Sequence, residues 1–63
     1  MIRVLVADDH SAIRNGVRLI LSTEFSEIEF GEAINGAEVL KKIQDEKWDV
    51  IILQFSKLYT FLL

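Results

Sequence analysis

Neither cysteine nor proline occurs in the 63 residues, and glycine occurs only three times. Without thiols the chain has no disulfide to staple it and no thiolate metal site. That matters at this length, because so short a chain buries only about 60% of the surface its unfolded form exposes. Positive charge is also scarce: seven Lys and Arg stand against ten Asp and Glu, for a net charge of −3. The basic residues are scattered, so the footprint of a nucleic-acid binder is missing and no nucleic-acid partner is expected. The apolar stretch from Val50 to Leu63 is interrupted by Gln54, Ser56 and Lys57. It falls short of the roughly 20 residues a membrane-spanning helix needs. The N-terminal run meets Asp8 and Asp9 and has no small-residue cleavage site, unlike a secretory signal. A soluble, cytoplasmic protein with no membrane partner is the expectation. No G-x-G-x-x-G or P-loop pattern supports nucleotide binding.

What is present alternates between two periodicities. Ile2 to Ala7 is a β-rich run with Arg3 as its only polar member, short enough for a strand buried on both faces. Asp8, Asp9 and His10 form a turn, after which Ser11 can cap a helix ending near Ser22 to Glu24. Its apolar stripe is Ile13, Val17, Ile20 and Leu21, with Arg14 and Arg18 opposite, and Gly16 weakens it by about 1 kcal/mol against Ala. Glu27 to Ala33 reads as an edge strand, since Ile28 and Phe30 alternate with acids. Asn35 and Glu38 resemble a capping box for a helix from Gly36 to about Glu46, with Ala37, Leu40 and Ile43 on one stripe. Trp48 to Leu53 is another buried strand. The order β-α-β-α-β predicts an α/β fold with a parallel sheet.

The chemistry concentrates at two strand ends. Asp8 and Asp9 follow the first strand, and Gln54 follows the third. Paired acids at a strand-to-helix turn are ordinary in themselves, because they favour the positive end of a helix. They are also hard oxygen ligands of the kind that hold Mg²⁺ for phosphoryl transfer. His10, the only histidine, has no second base or nucleophile near it in the pattern, which makes it a surface turn residue. Gly31 and Gly36 read as turn or strand-end glycines.

Four segments in order resemble the receiver domain of two-component response regulators: Ile2 to His10, Arg14 to Val17, Gly31 to Glu38, and Trp48 to Leu53. The likeness is to the branch whose receivers precede a helix-turn-helix output domain, and it covers only the first half of a receiver. The resemblance implies a flavodoxin-like sheet with strand order 2-1-3, cut after its third strand. It also implies that a histidine kinase phosphorylates an aspartate ending the third strand in the intact parent. Asp8 and Asp9 match the Mg²⁺-binding acids, Asp9 as the direct ligand, and Gln54 occupies the acceptor position. An amide neither charges a metal site nor attacks phosphorus, so the expectation is a degenerate acceptor beside a weak or vestigial Mg²⁺ site, with no other cofactor. No catalytic residue, and hence no enzymatic activity, is expected.

The resemblance divides the chain into a receiver-like portion, residues 1–54, and an apolar tail, residues 55–63, that is foreign to the family. The tail contains no turn residue; strand continuation is weighed equally against a short helix or a disordered end. Trp48 reads as core, whereas Phe55, Tyr59 and Phe61 read as a partner surface. A sheet ending at its third strand leaves Val50, Ile51, Ile52 and Leu53 at an open edge. Two copies are expected to pair there, through the third strand and the tail, in the order 2-1-3-3′-1′-2′. Two functional classes follow: a fragment of a phosphorelay controlling transcription, or a self-associating half-fold with no signalling output.

Overall fold

The computed structural model describes residues 1–55; the tail beyond, with Tyr59, Phe61 and the expected strand continuation, lies outside the described residues. The elements are β1 (Ile2–Ala7), α1 (Ser11–Glu24), β2 (Ile28–Ala33), α2 (Gly36–Asp45) and β3 (Val50–Leu53). They form one parallel sheet in the order β2-β1-β3, the three-stranded portion of a flavodoxin-like fold. Ile2 stands opposite Ile28 and Ala7 opposite Ala33, while Val4 stands opposite Val50 and Ala7 opposite Leu53.

β1 is central, and its residues Val4 to Ala7 are buried on both faces, as an uninterrupted apolar run requires. Alternation along the strand sends Leu5 and Ala7 to one face, where they cluster with Ala33 and Val39 of α2. Trp48 and Phe55 pack against that cluster. Ile2 and Val4 point to the other face, beside Leu21 and Phe25 at the end of α1. The two helices therefore lie on opposite faces of the sheet.

The local signals for α2 hold well. The Asn35 side chain accepts from the Glu38 amide (2.9 Å), and the Glu38 carboxylate returns to accept from the Ile34 amide (2.9 Å). The second of these bonds reaches one residue further back than a standard capping box, satisfying the residue before the cap.

Several sequence expectations change in detail. The third strand begins at Val50, not Trp48, because the Asp49 carboxylate takes the Arg3 amide (2.8 Å) in place of a ladder carbonyl. Trp48 instead turns back, donates from Nε1 to the Lys42 carbonyl (3.1 Å), and carries the Arg3 guanidinium over its ring at 4.4 Å. Gly31 lies within β2 rather than at a turn, directly under that ring. Ser11 is the first helical residue of α1, and His10 occupies the cap without a side-chain cap bond.

Both helices are also rotated from the expected stripes. In α1, Val17 and Leu21 are half-buried while Ile13 and Ile20 are exposed. Arg14 and Arg18, expected on the far side, reach Glu32 of β2 (2.7 and 2.5 Å), and these charge-assisted bonds set the helix's rotation. In α2 the buried residue is Val39, and Leu40 and Ile43 face outward.

Candidate metal and phosphoryl-acceptor site

The site forms where β1 runs out. The Asp8 amide donates to the Ala33 carbonyl (3.0 Å), and the Gln54 amide donates to the Ala7 carbonyl (2.9 Å). The backbone ladder thus carries Asp8 and Gln54 to the same end of the sheet, side by side beyond the paired Ala7 and Leu53. The alignment expected of the first and third strands is what the ladder builds. Gln54 is exposed there.

Asp8 is only 2% exposed, the one buried charged residue among the described residues. Its Oδ1 accepts the His10 amide (2.8 Å), an Asx turn that reverses the chain into α1. The helical ladder of α1 starts there, with the Ile13 and Arg14 amides both donating to the His10 carbonyl (both 3.1 Å). Arg14 also donates through Nη1 to the Asp8 carbonyl (2.7 Å) while its Nε binds Glu32 (2.7 Å). These hydrogen bonds, chiefly that from Arg14, hold the Glu32 carboxyl below its usual range.

His10 is the exposed turn residue expected of it, but its ring lies against both acids. Its Nδ1 lies 3.0 Å from Asp8 Oδ1 and 2.9 Å from Asp9 Oδ1. Donor atoms of Asp8, Asp9 and His10 all fall within 4.8 Å of one another. Two carboxylates, one at the base and one half-exposed at the mouth, fit a divalent cation that keeps part of its water shell. Sequence reasoning missed His10, Arg14 and Glu32. His10 could have been found from the turn itself, since an Asx turn folds residue i+2 back over residue i.

Of the residues expected at a dimer interface, Val50 (46%), Ile51 (41%) and Leu53 (39%) are exposed, and Ile52 is half-buried. Phe55 is half-buried against its own core. On the α1 face, Ile2, Val4, Leu21, Phe25, Ile28, Val50 and Ile52 line an apolar groove of 250 Å³. α1 packs on β1 and β2, and the groove runs from its C-terminal end across the sheet to Val50 and Ile52 of β3. No helix among the described residues is long and apolar enough to cross a membrane.

Comparison with known proteins agrees with this geometry. The chain is 33% identical over 54 residues to the transcriptional regulatory protein YhcZ of Bacillus subtilis, covering 86% of the chain and 25% of that protein. It is 42% identical over 53 residues to the response regulator GacA of Pseudomonas viridiflava, covering 84% of the chain and 25% of that protein. Over 56 residues it is 43% identical to a protein-glutamate methylesterase/protein-glutamine glutaminase of Bacillus licheniformis, covering 89% of the chain and 16% of that protein. No family model matches the chain, and no solved structure matches it. The chain spans about a quarter of the length of the curated regulators it matches. With a β2-β1-β3 parallel sheet and an acid pair following β1, this chain is a receiver-domain fragment similar to the receivers of response regulators.

Proposed function

We propose that this chain is a receiver fragment from a phosphorelay that controls transcription, and that it does not itself accept a phosphoryl group. The observation that carries the reading is the place of Gln54, whose amide closes the β1–β3 ladder beside Asp8. The resemblance puts the acceptor aspartate at that strand end. A carboxamide is neutral and a poor nucleophile toward phosphorus, so no acyl phosphate forms there. Asp8 and Asp9 are the residues that would hold Mg²⁺, which when bound neutralises phosphoryl oxygens. Without a third carboxylate the affinity is weak. A histidine kinase is then a partner of the intact parent, not of this chain. The chain works in the cytoplasm, without nucleic acid or membrane, and it catalyses no reaction of its own.

The test is intact mass after incubation with Mg²⁺ and a small-molecule phosphodonor. An unmodified chain is expected; an adduct of one phosphoryl group that hydroxylamine removes would overturn the reading.

The exposed β3 edge favours a second role, self-association. Exposed apolar residues on an unpaired strand are a template for another chain. Two copies related by a twofold axis would pair β3 antiparallel, in the order 2-1-3-3′-1′-2′. This places Ile51 and Ile52 near the axis and leaves Phe55 to shield the strand end. Such a homodimer would have no signalling output of its own.

A further inference from the structure

We infer that the apolar groove on the α1 face is the seat of the tail of a second copy, so that two chains exchange tails as well as pairing their β3 strands. This rests on the self-association read from the open β3 edge and deepens it. Every residue lining the groove is apolar, and Ile2, Phe25 and Val50 among them are exposed. Apolar surface of that kind is buried when a matching segment is within reach. Such a segment follows the described residues: Ser-Lys-Leu-Tyr-Thr-Phe-Leu-Leu, residues 56–63. From Leu58 onward its only residue that is not apolar or aromatic is Thr60.

Position in the sheet decides which copy supplies the tail. Ile2, Ile28 and Val50 are the first residues of β1, β2 and β3, so the groove lies along the rim where the parallel strands begin. The tail departs from the opposite rim, after Gln54 and Phe55. To fill its own groove it must reverse and run back along the four residues of β3, about 13 Å. No Gly, Pro, Asn or Asp follows Leu53 to make that reversal.

A second copy removes the obstacle. With Ile51 and Ile52 at the twofold axis, antiparallel pairing sets Leu53 opposite the partner's Val50 and Phe55 level with the partner's Trp48. Each tail then starts at the rim where the other copy's groove opens and continues in the direction it already has. A twofold axis normal to the sheet keeps both α1 faces on one side, so the tail has only to bend round the rim. The eight residues reach about 26 Å, against about 10 Å across three strands. Ser56 and Lys57 span the rim, and the six residues from Leu58 cross the groove. Lys57, the tail's one charged side chain, passes the exposed carboxylate of the partner's Asp49.

The test is a nitroxide attached to a Leu63→Cys chain, whose thiol is its only one, mixed with ¹⁵N-labelled native chain. Amide signals of Ile2, Phe25 and Val50 in the native copy are expected to lose intensity and to recover when the nitroxide is reduced. Loss confined to a ¹⁵N chain that itself carries the label, diluted into excess unlabelled native chain, puts each tail on its own groove and overturns the inference. A dimer by sedimentation whose groove signals stay unchanged overturns it too, and leaves the strand pairing standing. A chain that stays monomeric removes the pairing and the exchange together. Should the labelled variant not fold, isotope-filtered NOEs in the native dimer decide, expected from the Phe61 ring to the methyls of the partner's Val50 and contradicting the exchange if absent. Phe61→Lys is expected to weaken the dimer about tenfold or more, because a buried aromatic is lost from the groove; an unchanged dimer constant would also overturn the exchange.

Discussion

A β-carbon at Gly31 would run into the Cη2 and neighbouring atoms of the Trp48 ring, and that ring has little freedom to yield. Its Nε1 is bonded to the Lys42 carbonyl, and Arg3 lies across it while also binding Glu29 and Glu46. Gly31→Ala is therefore expected to destabilise the chain by about 1–3 kcal/mol, read as a lower urea midpoint. An unchanged midpoint would mean the ring moves aside freely. Position 54 offers a test of a different kind. Gln54→Asp would return a carboxylate to the end of β3, beside Asp8, and is expected to raise Mg²⁺ affinity several-fold by calorimetry. If the variant binds Mg²⁺ no better than the native chain, the two strand ends do not act on one ion. At this scale the acid pair was legible because its members are adjacent in sequence and follow an apolar run. The contacts of His10 were not read, although the Asx turn that Asp8 favours folds them together. Gly31 was misplaced because its partner Trp48 is distant in sequence.

Elements were legible wherever a local rule governs them. The five elements, their order and the Asn35–Glu38 cap follow from periodicity and capping chemistry. Asn35→Ala is expected to cost about 1 kcal/mol, with loss of α2 helicity in circular dichroism. Helix rotation was not legible, because it depends on contacts between elements. Glu32 of β2 receives both Arg14 and Arg18, and these bonds roll α1 until only Val17 and Leu21 of its apolar stripe turn inward. That junction has a pH signature. Its folded pKa lies below its ordinary value of 4.5, chiefly through the Arg14 hydrogen bond. The stability it contributes is then complete above about pH 4.5 and is lost as pH falls through the lower folded value. Glu32→Gln should flatten the pH dependence of the urea midpoint in that acid window; an equally steep profile in the variant would assign the acid sensitivity elsewhere. Gly16 has nothing near its missing side chain, so Gly16→Ala is expected to stabilise α1 by about 0.5–1 kcal/mol.

At the scale of the molecule, the sheet of the described residues is buried at its centre and has β2 and β3 as its edge strands. β1 is buried on both faces, whereas β3 shows Val50, Ile51 and Leu53 to solvent beside an apolar groove. Edge position was legible for β2 from its alternation with acids, and for β3 once the 2-1-3 order was expected from the resemblance. The filling of the core by Trp48 and Phe55 was legible for Trp48 only, because Phe55 falls where the family pattern stops. An antiparallel β3–β3′ pair would satisfy the free backbone groups of β3. Around a twofold axis normal to the sheet, it would also join the two grooves into one trough on a single face. The central claim is that the 63-residue chain completes its sheet with a second copy of itself. Sedimentation equilibrium of the full chain over a wide concentration range, without added metal, tests it most directly, with Ile51→Lys as the edge-blocking variant. The account predicts a dimer for the native chain and a monomer for the variant, whereas a native chain that stays monomeric at the highest concentration would contradict it.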